Sequence, residues 1–328
     1  MNATPILSIV MPVYNTDSEL FSKCVAPFIQ NDSDRLELII VDDGSNSETA
    51  AMLDELRCQV PVTVMHERNS GQNGAREIGV NAANGLYVGF LDSDDRVVWD
   101  NLNRTLDILE KSSSDIVSFD AQRVSVDGQS LGQSFGFGRN TERKRYISSC
   151  AELWLQFFRK SFLLEQGGLF RTGEVCVGED LATVLPMAIR ANSIDHAPFV
   201  IYQYVQQPDS VLHKSDGRSR MSILRSFDHI LEVLTDAELA TYHDEIEWQA
   251  VNHILNYETR AQFRNGLKAM ANVRKLWAWV ESRFPRWREN PYIDSEKQRQ
   301  GLPCRLALEK HFIAIAFYQT VVRRISGC

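Results

Sequence analysis

Four nearly unbroken apolar runs organise the first part of the chain: ILSIVMPVY at 6–14, LELIIVDDG at 36–44, VPVTVMHE at 60–67 and LYVGFLDSDD at 86–95. Runs without polar alternation suit strands covered on both faces, as in a parallel sheet. Helical spacing fills the intervals. Leu20, Cys24 and Phe28 share a face, as do Met52, Leu53 and Leu56 behind an N-cap at Ser47; residues 73–85 form a third helix stopped by Gly85. Leu102, Leu106 and Leu109 mark a fourth. This βαβα alternation predicts a doubly wound α/β domain, in which ligands gather at the carboxyl ends of the strands. Asn15, Asp42, Asp43, Asp92, Asp94 and Asp95 all fall at such ends.

Further along, 115–124 and 197–206 read as strands, and the Gly- and Ser-rich 125–140 as a loop or loose hairpin. Residues 151–166 read as helical or mixed. Residues 178–191 form an amphipathic helix with Leu181, Val184, Leu185 and Ala188 buried, bent or left one hydrogen bond short by Pro186. From about 216 the pattern is helix after helix. The expected division is therefore an α/β domain over 1–215 and a helical region over 216–328, the latter serving acceptor, membrane-surface or oligomer contacts.

Composition narrows the classes. Of 328 residues, 44% are hydrophobic and 24% charged, as in an ordinary globular protein. The formal net charge of −8 argues against nucleic acid as a partner. The six cysteines form no CxxC pair, which speaks against a zinc or redox motif. Only MNATP precedes the first apolar run, so no cleavable leader is expected, and no stretch approaches the roughly 20 apolar residues that span a bilayer. A cytoplasmic protein with free thiols is the expectation.

The candidate chemistry lies in carboxylates. VDDGS at 41–45 can accept hydrogen bonds from a base or ribose, but Asp and Ser also suit a helix N-terminus. FLDSDD at 90–95 is more specific. Asp92 and Asp94 can aim at one small volume, where a divalent cation would offset their repulsion and bridge to phosphates. Capping accounts for one of the three acids, Asp94 or Asp95, as the start of the helix that follows. Glu179 and Asp180 in VCVGEDLATV favour a helix N-terminus through its dipole.

PVYN (12–15), VDDGS, RNSGQNGAR (68–76) and FLDSDD, in this order, resemble family 2 glycosyltransferases, and the resemblance continues through WLQFFRKSFL, GLF and GED over roughly residues 6–215. It implies the GT-A fold: a Rossmann-like, mostly parallel sheet flanked by helices, here followed by the C-terminal helical region. By position, Pro12, Val13 and Tyr14 match the segment packing against base and ribose, and Asp43 with Asp42 the acids that bind the base. Arg76 matches a basic residue near the diphosphate. Asp92, Ser93 and Asp94 match the DxD segment, in which Asp92 meets ribose or metal and Asp94 binds Mn²⁺ or Mg²⁺. Asp180 matches the catalytic base, with Glu179 beside it. His213 resembles a metal-binding histidine of some GT-A enzymes, and equally reads as a surface residue.

The implied reaction is transfer from a nucleotide-sugar donor, UDP-hexose in the first instance, to a glycan or lipid-linked acceptor in surface or exopolysaccharide synthesis. A non-catalytic nucleotide-sugar-binding or partner subunit is the competing expectation, and a homodimer is a further possible partnership. Two departures matter. Trp154-Leu155-Gln156 replaces the W-N-K of many relatives, so acceptor details do not carry over. Arg286-Trp287 lies far downstream without the QxxRW glutamine of processive synthases, so single-sugar addition is expected. Trp154, Phe157, Phe158 and Phe162 suit either an acceptor platform or a core face. The last helix, FIAIAFYQTVVRRISGC, suits either packing on the α/β domain or peripheral contact with the inner face of the cell membrane.

Overall fold

The computed structural model describes residues 4–30, 33–59, 62–136, 142–170, 176–207 and 219–326, without the side chains of 58–59, 265 and 320–326. The chain divides into two compact units. One comprises 1–143, 150–175 and 190–207, the other 144–149, 176–189 and 208–328.

The first unit is built on a nine-stranded sheet. Its first half is parallel. β1 (Leu7–Val13) is flanked by β2 (Leu36–Asp42) and β4 (Tyr87–Phe90), and β3 (Thr63–His66) lies outside β2. All seven residues of β1 and all four of β4 are buried, which is the physical meaning of their unalternating sequence. Helices α1 (Ser18–Gln30), α2 (Ser47–Gln59), α3 (Gln72–Ala82) and α4 (Trp99–Lys111) follow β1, β2, β3 and the short β5 (Arg96–Val97). Each of Leu102, Leu106 and Leu109 on α4 is 1% exposed. The cap of α2 is Asn46, whose Oδ1 accepts from Thr49 N at 2.9 Å, rather than Ser47. Gly79 permits α3 to lie directly on β1: a Cβ there would stand 2.3 Å from Val10 Cγ1.

The second half of the sheet is mixed. β6 (Ile116–Val124) runs parallel to β9 (Ile194–Val205) and antiparallel to β7 (Phe135–Gly136) and to β8 (Gln156–Arg159). β8 also pairs antiparallel with β4 and so joins the two halves. It falls in the segment read as helical or mixed, which the structure resolves into a 3₁₀ turn (Leu153–Leu155), β8 and a short helix α6 (Lys160–Glu165) that follows α5 (Arg143–Ser149). The Gly-rich segment does turn back as a hairpin, with β7 on β6.

In the second unit, α7 (Glu179–Arg190) belongs up to Ile189 and runs through a buried Pro186. Further helices follow, including Ile223–Val233, His243–Ala250 continuing as a π-helix over Val251–Glu258, Met270–Arg283 and Phe312–Ser326. Trp277, Trp287 and Phe312 meet edge-on in the core of this unit. Trp287 is 1% exposed, a core residue. Phe312 and Ile315 turn inward on the last helix, whereas Ile313 and Phe317 are exposed. No helix among the described residues is long and apolar enough to cross a membrane.

Candidate functional site

The ends of β1, β2 and β4 bring three polar segments together in the first unit. At the end of β1, Pro12 and Val13 are buried, and Tyr14 just beyond is 57% exposed, so of the three only Tyr14 offers its ring to solvent. Asn15 follows with φ +48°, a left-handed conformation that short polar side chains tolerate. Its N–H donates to Ser45 Oγ at 3.1 Å and its Oδ1 accepts from Asn46 N at 2.8 Å, fixing the first segment to the second.

Asp42 and Asp43 are both buried. Asp42 Oδ1 accepts from Ser45 N at 2.8 Å and Oδ2 pairs with His66 Nδ1 at 2.7 Å. Burial alone would raise the Asp42 carboxyl, but the bonds from Ser45 and His66 outweigh it and hold it below the ordinary carboxylate range. The same bond lifts His66 above its ordinary value, against its own partial burial. Asp43 Oδ1 accepts from Ser70 N at 2.6 Å and Ser70 Oγ at 3.2 Å, and its carbonyl accepts from Asn69 Nδ2 at 2.9 Å. Asp43 thus anchors the 68–71 loop that leads into α3, while Asp42 ties the turn at Ser45 to the end of β3.

From α3, Gln72 Nε2 and Arg76 Nη2 both donate to Asp92 Oδ1, at 2.9 and 2.8 Å. The Arg76 side chain is 1% exposed and also bonds Asn73 Oδ1 at 3.0 Å. Arg76 therefore acts by orienting Asp92, with its own guanidinium shielded from solvent. Ser93 Oγ donates to Thr16 Oγ1 at 3.0 Å, and Asp94 Oδ2 accepts from Gln207 Nε2 at 2.7 Å. Burial first, and then the charge of Asp92, raise the Asp94 carboxyl above its ordinary value.

Asp95 has a different task. It is 1% exposed and accepts from Tyr202 O–H at 2.6 Å and Val205 N at 2.7 Å. The cap of α4 is Val98, without a side-chain bond, so Asp95 does not cap that helix. Tyr202 in turn accepts from Asp92 N at 3.3 Å. Burial, followed by the charges of Asp92 and Asp94, pushes Asp95 well up.

The donor set suits a hard cation: two carboxylates, Asp94 raised in part by the charge of Asp92, and Asp92 fixed through a single oxygen. No group of three ligating side chains converges there among the described residues. Phosphate oxygens and water would complete a coordination shell, as is usual for Mg²⁺-type sites.

Glu179 and Asp180 occupy the first turn of α7, both partly exposed, in the second unit. His213 lies outside the described residues. Trp154, Phe157, Phe158 and Phe162 are core. The Trp154 ring stacks on Tyr202 at 4.3 Å and on Tyr204 at 5.7 Å. His66, Gln72, Tyr202 and Gln207 escaped the sequence reading. Only His66 carried a signal: it ends the strand beside Asp42, and the two pair in register.

Comparison with known proteins bears on this arrangement. The family model described as glycosyl transferase family 2 matches residues 8–173. The glycosyltransferase EpsJ of Bacillus subtilis is 23% identical over 217 residues, 63% of each chain. The succinoglycan biosynthesis protein ExoO of Rhizobium meliloti is 28% identical over 131 residues, 40% of this chain and 37% of its own. The chain thus spans less than two thirds of the length of these curated relatives. Among solved structures, S. aureus TarS 1-349 in complex with UDP-GlcNAc superimposes with a TM-score of 0.60 at 19% identity, over 85% of this chain and 91% of that one. TarS was also solved with UDP. The likeness establishes a GT-A-type fold.

Proposed function

The chain belongs to glycosyl transferase family 2, and from that membership we propose that it moves one sugar, with inversion, from a nucleotide-sugar donor to a hydroxyl of a glycan or lipid-linked acceptor. A UDP-hexose is the donor this reading favours, and TarS, crystallised with UDP-GlcNAc, supports it. A place in surface or exopolysaccharide synthesis is supported by the kinship with ExoO.

The observation that carries the reading is the preset acidic pair: Asp92 held through one oxygen by Gln72 and Arg76, and Asp94 raised by burial and by Asp92. Tyr14 covers the base and ribose, with Asp42 and Asp43 fixing the loops around the base. Asp92 and Ser93 lie along the ribose and diphosphate. Asp92 and Asp94 would hold Mn²⁺ or Mg²⁺, with His213 as a further candidate ligand. When bound, the cation supplies positive charge to the leaving diphosphate. Asp180, with Glu179 beside it, takes the proton of the acceptor hydroxyl as that oxygen bonds to the anomeric carbon and the bond to the diphosphate oxygen breaks. One such displacement inverts the centre.

The site works on the cytoplasmic side in this reading. The exposed Ile313 and Phe317 on the last helix offer a peripheral contact with the inner leaflet. Flotation with anionic liposomes tests that contact, and unchanged flotation after Ile313→Ser/Phe317→Ser removes it.

The test of function is a donor screen reading released nucleoside diphosphate with Mn²⁺ and with chelator. UDP-hexoses should turn over only with metal. Asp94→Ala should lose metal-dependent UDP binding, and Asp180→Asn should keep UDP binding but lose transfer. An active Asp180→Asn enzyme removes the base assignment, and turnover unaffected by chelator removes the metal.

A further inference from the structure

Within the second unit, the turn that carries Glu179 and Asp180 is held by two serine hydroxyls. Val177, two residues before Glu179, donates its N–H to Ser222 Oγ at 2.8 Å. Its carbonyl accepts from Ser226 Oγ at 2.9 Å. Both backbone polar groups of one residue are therefore taken up by side chains 45 and 49 positions away in sequence. Ser226 is fully buried and Ser222 nearly so. Cys176 adds its thiol against Ser226 Oγ at 3.3 Å and the Ser222 carbonyl at 3.5 Å.

The next residue, Gly178, has φ +84°, which favours glycine. Any Cβ there would stand 2.6 Å from Ile223 Cδ1 and 3.3 Å from Ser226 Cβ. The turn is thus pressed against the start of helix Ile223–Val233, and helix α7 begins immediately after it, with Ala182 N bonding back to the Gly178 carbonyl at 2.9 Å. The serines are themselves secured. Ser222 Oγ donates to the Ser219 carbonyl at 2.6 Å, and the neighbouring Arg220 forms a two-pronged pair with Glu258 at 2.9 and 2.6 Å. Glu258 is buried and ends the π-helical segment.

We propose that Ser222 and Ser226 are positioning residues for the catalytic base: they fix the Val177-Gly178 backbone and so set where the Asp180 carboxylate stands. This rests on the assignment of Asp180 above. A base must lie within hydrogen-bond reach of the proton it takes, and a displacement of about 1 Å can cost on the order of 100-fold in rate. The hydroxyls of both serines bond the Val177 backbone, so in this proposal they act through it. Their loss acts on turnover while leaving donor binding, which the first unit provides, intact.

The test compares Ser222→Ala, Ser226→Ala, the double variant and Asp180→Asn, each assayed for kcat, donor KM, UDP affinity by calorimetry and the pH profile of kcat. The double variant should lose about 10- to 100-fold in kcat, with UDP affinity and donor KM within about twofold of the parent. The acidic limb of its kcat profile, where the base becomes protonated, should move with the altered surroundings of the carboxylate. Ser222→Thr, which keeps the hydroxyl, should recover most of the loss of Ser222→Ala. A folded double variant with parental kcat overturns the proposal. So does a kcat loss that only tracks the folded fraction, or one matched by lost UDP affinity. Should the double variant fail to fold, the single variants decide by the same criteria. An active Asp180→Asn enzyme refutes the base assignment. An inactive one beside unimpaired serine variants refutes the positioning alone.

Discussion

Replacing Asp95 by alanine tests the most deeply buried part of the acidic segment. The carboxylate accepts two bonds, from Tyr202 O–H at 2.6 Å and Val205 N at 2.7 Å, in a site 1% exposed. A hydrogen bond to a charged group contributes about 1.5–3 kcal/mol net, and a buried donor left without a partner costs about 1–3 kcal/mol. Removing a carboxylate whose charge is disfavoured by burial and by Asp92 and Asp94 returns part of this. The expected loss for Asp95→Ala is therefore about 2–4 kcal/mol. Asp95→Asn keeps an oxygen for Val205 and an amide that Tyr202 can accept from, so it should lose roughly 1 kcal/mol or less. Tyr202 also accepts from Asp92 N, so the alanine variant loosens the hydroxyl that holds the Asp92 backbone. UDP affinity should fall about three- to tenfold, equivalent to roughly 1 kcal/mol. Urea denaturation followed by near-UV circular dichroism gives the stability, amide exchange at Val205 localises it, and calorimetry gives UDP affinity. Equal losses for alanine and asparagine would refute the hydrogen-bond reasoning, as would an alanine variant within 0.5 kcal/mol of the parent, roughly the noise of surface substitutions.

Three further outcomes are expected. Arg76→Met removes the buried guanidinium that fixes Asp92 Oδ1; Asp92 is partly exposed and can rehydrate, so stability should fall by about 1–3 kcal/mol and metal-dependent UDP binding should weaken, both read by calorimetry. His66→Gln should change stability in a pH-dependent way. The raised His66 contributes fully below its ordinary 6.5 and loses its contribution as pH rises through its higher folded value; the lowered Asp42 contributes above 3.8 and loses it as pH falls through its lower one. The gap between parent and variant in urea midpoint should therefore be widest between those two ordinary values and shrink above neutrality. Gly79→Ala places a methyl 2.3 Å from Val10 Cγ1 and should cost about 1–3 kcal/mol by overpacking between α3 and β1, measured by thermal unfolding.

What the sequence determined by itself was local. Strand period and helix period placed β1 to β4 and α1 to α4, because burial on both faces or on one stripe leaves its mark residue by residue. The acids at strand ends were legible for the same reason: an apolar run that stops in carboxylates marks the strand end, although Asp42, Asp43 and Asp95 prove to be buried there. The tertiary structure decided who holds those acids. Gln72 reaches Asp92 across 20 residues and Gln207 reaches Asp94 across 113, partnerships that leave no periodic trace. It also turned Arg76 inward and gave Asp95 to β9 instead of α4. Strand β8 was hidden because its pairing comes from β4 and β6 on either side, not from alternation in QFFR. The serines around Val177 were equally silent: a hydroxyl that holds a distant backbone looks, in sequence, like any other serine on a helix.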